Sequence, residues 1–273
     1  MKEYLSPKLD VVFRMIFADE RNADILGDFL IAVLRIPRED VSEITVLDPT
    51  VALDMPNEKK SILDLKVILK SGRLVNVEIQ IRNDAGMIPR LHYYKSRLVT
   101  GQVMSGKSYL TLAPVSCVAI VDYSIYEDEK CHHRFRFYDT ENEIEFSGYE
   151  EIHIIELPKA DRCAGNPGLY DWIRFLNAKS KEEFDMLAEK NETVKKAVGV
   201  LAKLSADEAS RMLAEAREKE VMDQMSRELI AKEDGKLEGK LETAQNLLRM
   251  GFSLADISKA TGLSESELGQ IKQ

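Results

Sequence analysis

The chain has 273 residues, 44% of them hydrophobic and 31% charged, a length that allows one large domain or two smaller ones. A formal net charge of −9 argues against a protein that coats nucleic-acid backbone with its whole surface, since Lys and Arg supply most non-specific phosphate affinity. No apolar run reaches the ~18 residues of a membrane span and Met1-Lys2-Glu3-Tyr4 lacks a signal-like apolar stretch, so a cytoplasmic protein without a membrane partner is expected.

Residues 8–18 predict a helix, with Ser6 as N-cap, Pro7 at the first helical position, and Leu9, Val12, Phe13, Ile16 and Phe17 on one face. A second helix over 22–35 gathers Ile25, Leu26, Phe29, Leu30, Val33 and Leu34. Ile44 to Leu47 reads as a first strand, and 48–60, with Pro49 and Pro56, as a loop. Ile62 to Leu69 and Val75 to Ile81 flank a Ser71-Gly72 turn signal and form a hairpin. Residues 88–105 predict a long helix, and the apolar run Val115 to Tyr123 a central strand buried on both faces. Phe135 to Tyr138 and Ile152 to Leu157 are further strands, so the order of elements indicates an α/β sandwich with the hairpin in its sheet. Beyond Pro158 the chain is nearly all helix-forming, with Trp172 in one amphipathic stretch, a charged helix over 205–232, and a closing helix pair over 244–271 that turns at Gly262 like a small helix-turn-helix. The expected divisions are a core over 1–160, a helical segment over 161–204 that packs on or follows it, and a helical tail over 205–273.

The hairpin carries the chemistry. Val75, Val77, Ile79 and Ile81 alternate with Asn76, Glu78 and Gln80, the pattern of a strand whose second face meets solvent or a site. In the partner strand Asp64 and Lys66 oppose Leu63, Leu65, Val67 and Leu69. Asp64, Glu78 and Gln80 can therefore share one polar face, and two carboxylates on neighbouring strands suit a divalent-metal site. Directly opposed residues of an antiparallel pair share a face, so this reading needs paired numbers that sum to 142. A two-residue turn would give 143; a connection of three or five residues around 70–72, or a bulge, meets the condition, and Gly72 can supply its left-handed residue.

This Asp…Glu-x-Gln hairpin resembles the metal-binding core of the PD-(D/E)XK nucleases. Ser6-Pro7-Lys8-Leu9-Asp10 through Phe17, Val77-Glu78-Ile79-Gln80, Arg90 with Tyr93-Tyr94, Gly106 with Tyr109, and Glu156-Leu157-Pro158-Lys159 narrow the resemblance to the recombination-promoting branch, the PD-(D/E)XK family transposases. It covers roughly residues 4–160, more weakly the tail. The resemblance implies a restriction-endonuclease-like αβ sandwich core with a helical C-terminal extension. It also implies a DNA endonuclease using Mg²⁺ or another divalent cation, linked to recombination or mobile elements. Asp64 and Glu78 would hold the ion and Gln80, in the place of the superfamily's lysine, would orient the attacking water without supplying charge. Asp10 is an auxiliary carboxylate and Lys66 a substitute cation.

Arg82, Arg90, Lys95 and Arg97 form a locally basic segment suited to DNA phosphate, with Asp84 its single acid up to Lys107. Double-strand cleavage needs two sites, and self-association of the 205–232 helix would provide a homodimer. The rival reading is a non-catalytic interaction protein on a degenerate nuclease fold, which the acidic charge and Gln80 favour. Other chemistries find less support. Cys117, Cys131 and Cys163 are odd in number and lack metal-ligand spacing, which predicts reduced thiols and no disulfide framework. Adjacent His132 and His133 on a strand point to opposite faces and do not share a zinc ion with Cys131 or His153. The Gly235-Lys236-Leu237-Glu238 repeat contains no Gly-x-x-x-x-Gly-Lys-Ser/Thr phosphate loop, and no serine or cysteine triad signature occurs.

Overall fold

A computed structural model describes residues 3–47, 50–51, 61–62, 64–83, 85–103, 106, 108–163 and 165–271. In chain order the elements are α1 (Asp10–Phe17), α2 (Ala23–Leu34), β1 (Ile44–Val46), β2 (Thr50–Val51), β3 (Ser61–Ile62), β4 (Leu65–Leu69), β5 (Leu74–Gln80), α3 (Met87–Thr100) and β6 (Val115–Val121). They continue through β7 (His132–Arg136), β8 (Tyr138–Asp139), β9 (Ile144–Glu145), β10 (Glu150–Glu156), α4 (Pro167–Asn177), α5 (Lys181–Lys190), α6 (Glu192–Ala206), α7 (Glu208–Arg249), α8 (Leu254–Thr261) and α9 (Glu265–Ile271). The loop expected over 48–60 lies almost wholly outside the described residues, as does Leu63.

Six strands form one mixed sheet in the order β1-β4-β5-β6-β10-β7. The β5–β6 and β6–β10 pairs are parallel; β1–β4, β4–β5 and β7–β10 are antiparallel. Every residue of β6 is buried, as its uninterrupted apolar run requires of a strand covered on both faces. One face carries Leu65, Val67, Val75, Val77, Val118 and Ile120, packed with α1, α2, α4, α5 and α6. The other carries Leu74, Cys117, Ala119, Val121 and Ile154, packed with Met87, Leu91, Tyr94 and Leu98 of α3. The result is the expected α/β sandwich, with a helical C-terminal region.

The first helix opens at Asp10 rather than at Pro7: Ser6 accepts from Leu9 N at 3.2 Å, closing a turn before the helix, and the N-cap is Leu9. Its apolar face nonetheless packs as expected. Phe13, Phe17, Phe29, Trp172, Phe175 and Phe184 form a chain of stacked and edge-on rings through the core. Trp172 donates to Asp28 Oδ2 at 3.0 Å, satisfying the indole N–H.

Residues 1–217 and 218–273 form two compact units, where the sequence reading sets the start of the tail at 205. The reason is burial. Leu169 to Leu201 belong to the same core as α1 and α2, Ala214 of α7 is buried in it, and Ser205 Oγ accepts from Leu5 N at 2.9 Å. The second unit has its own small core of Ala244, Ile257, Leu263 and Leu268, bordered by Leu241, Leu247, Leu248 and Leu254. There α8 ends at Gly262, whose φ of 69° permits the tight turn into α9. Cys131 and Cys163 correct the expectation of reduced thiols: the fold pairs them as a disulfide with Cα atoms 5.6 Å apart, leaving Cys117 buried and free. They lie 32 positions apart in the chain, a closure that local spacing does not reveal.

Candidate active site

The β4–β5 hairpin turns through Lys70, Ser71 and Gly72. Leu69 N donates to Arg73 O at 3.0 Å, Gly72 N donates to Leu69 O at 2.8 Å, and Gly72 has φ of 84°. This three-residue connection sets the pairs Leu65↔Val77, Lys66↔Asn76, Val67↔Val75 and Ile68↔Leu74, all summing to 142. Continued one step, the register places Asp64 against Glu78. Asp64 N donates to Glu78 Oε1 at 3.3 Å, and Ile79 N donates to Asp64 Oδ2 at 2.7 Å. Each carboxylate is thus held by a backbone N–H of the other strand. Leu65, Val77 and Ile79 pack in the helix-covered core on the reverse face.

The polar face of β5 is not open to solvent, because α3 packs over that side of the sheet. Asn76 is 0% and Glu78 5% exposed. Burial is the largest cause that raises both carboxyl pKa values, Asp64 to about 6 and Glu78 to about 8. For Asp64 the Ile79 N–H and the charges of Arg14 and Arg90 oppose the rise, while Asp10 adds to it. For Glu78 the Asp64 charge adds to the rise, and Arg90 and the Asp64 N–H oppose it. The Asn76 amide also lowers the Glu78 value from nearby, but neither its oxygen nor its nitrogen has a partner at normal hydrogen-bond distance. It is a weak, long contact.

Gln80 ends β5, on the same face as Glu78. Its Oε1 accepts from Arg90 Nη2 at 3.3 Å, and the same nitrogen lies 3.1 Å from Met87 Sδ. Arg90 therefore stands inside the carboxylate cluster, in the first turns of α3. Asp10, at the start of α1, is gripped by Arg217 of α7. Arg217 Nε lies 2.9 Å from both carboxylate oxygens and Nη2 2.7 Å from Oδ2. Lys8 pairs with Asp122 at 2.6 Å, and Lys66 faces Asn76, one pair inward from Leu65.

The remaining basic residues of the expected phosphate row sit in different surroundings. Lys95 is 7% exposed, bound to Glu150 at 2.5 Å and seated 4.6 Å from the Phe137 ring centroid. It lies on the packed face of α3, next to Tyr94. Arg82 and Arg97 are half-buried, and both have partners. His132 and His133 point apart: His132 Nε2 lies 2.9 Å from His153 Nδ1, whereas His133 reaches Asp128 Oδ2 at 2.9 Å. Arg14 and Arg217 escaped the sequence reading. Arg14 stands one helical turn beyond Asp10, a signal within reach; Arg217 is 207 positions from its partner, and no local pattern announces it.

Two carboxylates on adjacent strands are hard oxygen donors, and their mutual repulsion in a buried corner is what a divalent cation relieves. The residues therefore fit such an ion. Among the described residues no third acidic, histidine or cysteine side chain joins them in a ready-made cluster.

A mixed sheet between helical layers, with paired carboxylates on its hairpin, defines a nuclease-type α/β fold. The model of the PD-(D/E)XK nuclease family transposases matches residues 7–229, and the chain belongs to that family. Residues 237–273 match the C-terminal helix-turn-helix domain of the Rpn/YhgA-like nuclease family, consistent with α8, the Gly262 turn and α9. No curated protein and no solved structure matches the chain.

Proposed function

We propose that the protein is a divalent-metal-dependent DNA endonuclease acting in recombination or on mobile elements. The observation that carries this reading is the direct opposition of Asp64 and Glu78, one oxygen of each fixed by a backbone N–H across the hairpin. Asp64 and Glu78 would hold the ion, Mg²⁺ being suited to a site that offers one or two carboxylates. When bound, such an ion lowers the pKa of water and offsets negative charge at phosphorus. The chain's part is to hold these acceptors in place and to exclude bulk water from the buried corner beneath α3. Hydrolysis forms a bond from water oxygen to phosphorus and breaks the bond to the 3′ oxygen. The products are 5′-phosphate and 3′-hydroxyl ends: the attacking water gives up a proton to solvent, and the departing 3′ oxygen takes one up from it. Asp10, which Arg217 holds and whose charge reaches Asp64, would support the site as an auxiliary carboxylate, and the C-terminal helix-turn-helix would add DNA affinity.

Plasmid DNA with the pure protein tests this. Nicking should require Mg²⁺, stop with chelator, and fall by about a thousandfold or more in Asp64→Ala and Glu78→Ala, equivalent to ~4 kcal/mol of transition-state stabilisation. Both variants should remain folded. Undiminished cleavage in the two variants, or in chelator, would overturn the reading. A non-catalytic interaction protein is the second reading, favoured by the exposed Met222, Met225, Leu229 and Ile230 of α7; it predicts no Mg²⁺-dependent nicking at all.

A further inference from the structure

The basic segment expected to meet DNA is engaged within the fold: Lys95 is bound to Glu150, and Arg82, Arg90 and Arg97 all have partners. Other cations surround a cleft of about 490 Å³ at the carboxyl ends of β6 and β10. We infer that this cleft is a subsite for one unpaired nucleotide of the strand to be cut, with Arg174 and Lys179 on its phosphate and an apolar lining against its base. The inference rests on the nuclease reading and names its substrate: DNA with an unpaired base beside the scissile bond.

The cleft is built by segments far apart in the chain. Lys8, ahead of α1, has Nζ 2.6 Å from Asp122 Oδ2, just beyond β6, and 3.5 Å from Asn177 Oδ1, at the end of α4. Asn177 Nδ2 donates to Leu157 O at 2.9 Å, which ties α4 to the turn after β10. Buried Leu157 and Leu187, with Pro158 and Ala178, supply the apolar lining. The acids of the cleft are already committed. Asp122 is paired with Lys8. Glu183 Oε2 accepts from Lys179 N at 2.6 Å and Ser180 N at 3.3 Å in the capping box of α5, where the helix dipole offsets its charge. Asp161 is 88% exposed and reaches Arg174 Nη1 only at 4.0 Å, a pair that solvent screens. Lys179 Nζ pairs with no acid among the described residues. Two cations beside an apolar hollow match a ligand with one anionic end and one flat, stackable end, as a nucleotide has.

Size and place decide how DNA can use it. The volume corresponds to roughly 8 Å on a side, less than the ~12 Å of a major groove alone, so a duplex cannot enter but a single nucleotide can. The cleft is also close to the carboxylates. Asp122 N donates to Gln80 O at 3.0 Å, and Glu78 pairs with Ala119, three residues before Asp122. At ~3.3 Å per residue and ~4.8 Å between strands, the backbone at the cleft lies about 11 Å from that of Glu78. A strand crossing Asp64 and Glu78 can therefore seat a neighbouring nucleotide in the cleft while its complement stays outside. That base must leave the stack, which is costly in paired DNA and cheap where the base has no partner.

Two measurements on the full-length chain test this, with a thermal melt for each variant. The first, in chelator, titrates a 5′-phosphorylated thymidine dinucleotide by calorimetry, a probe too short to offer the groove that a helix-turn-helix reads. Wild type should bind it. Arg174→Glu with Lys179→Glu should weaken binding by about tenfold or more, whereas Lys195→Glu with Lys203→Glu, the same charge change on α6, should not. Arg174→Gln with Lys179→Gln, which removes the charges without reversing them, should act in the same direction. The second, in Mg²⁺, compares a fully paired duplex with one carrying a single unpaired thymidine. The unpaired nucleotide should raise kcat/KM beside it by about tenfold or more, and the Arg174 and Lys179 double variants should lose that advantage. A wild type that does not bind the dinucleotide, folded double variants that bind it equally well, or equal and measurable cleavage of the two duplexes would overturn the inference and leave the nuclease reading in place. Binding that is lost in the double variants, in a protein that cleaves neither duplex, would sink the nuclease reading and leave the nucleotide subsite standing.

Discussion

Glu78 and Asp64 are buried acids whose pKa values rise on folding, to about 8 and about 6. The unfolded chain therefore binds fewer protons than the native one between pH ~4 and these values. A group raised on folding contributes stability that is complete below its unfolded pKa and is lost as pH rises through the folded value. In chelator, then, the protein should lose stability as pH goes from about 5 to about 8. Glu78→Gln removes the larger titration and should flatten that decline, with the variant melting higher than wild type at pH 8. Urea titrations at several pH values measure it. A wild-type profile that is flat, or rises, over that window would show that the two acids ionise freely in the native state. The residue scale also separates carboxylates by role: Asp64 and Glu78 are fixed by backbone N–H groups, whereas Asp10 is held by Arg217.

At the scale of the element, the site depends on one turn. Gly72 takes φ of 84°, and an added Cβ would meet only Ala113 at 3.8 Å, an ordinary contact. Any penalty for a side chain there is therefore backbone strain, about 1–2 kcal/mol for an L-residue in the left-handed region. Gly72→Ala should cost that much in denaturant unfolding. If strain is relieved by shifting the turn to two residues, the register moves by one and Asp64 leaves Glu78's face, so nicking should fall by more than stability alone explains. Gly72→Asn, which tolerates the left-handed region better, should lose less of both. Equal, full activity in Gly72→Val would show that the register is held elsewhere. The tail helix illustrates a different balance: α7 runs from Glu208 to Arg249 through Gly235 and Gly239, although each glycine costs ~1 kcal/mol relative to alanine.

For the whole molecule, the division at Arg217 gives a truncation test. A chain ending at 217 keeps Ala214 in the core, the Ser205–Leu5 hydrogen bond and the Arg217–Asp10 ion pair. It should melt cooperatively and keep Mg²⁺-dependent nicking, with weaker DNA binding if the helix-turn-helix supplies affinity. A chain ending at 204 loses all three contacts and should be less stable by about 2–4 kcal/mol, the scale of a lost buried side chain plus polar partners. Calorimetry on the two fragments decides it; equal melting would place the boundary earlier.

Much of this protein is legible along the chain. The alternation Val75-Asn76-Val77-Glu78-Ile79-Gln80, the largely apolar β6 and the helical spacing of Phe13 and Phe17 each reflect a local rule of burial. Even the hairpin register follows from a local condition, because period-two geometry ties Asp64 to Glu78 only through a connection of odd length. What the chain could not announce were pairings between distant segments: Arg217 with Asp10, Cys131 with Cys163, Lys95 with Glu150. Nor could it tell that α3 buries the polar face, or that Arg90 meets Gln80 instead of solvent. Local sequence determines which residues share a face of their own strand or helix. Which other element covers that face depends on how the layers stack, and that is set by the packing of the whole core at once.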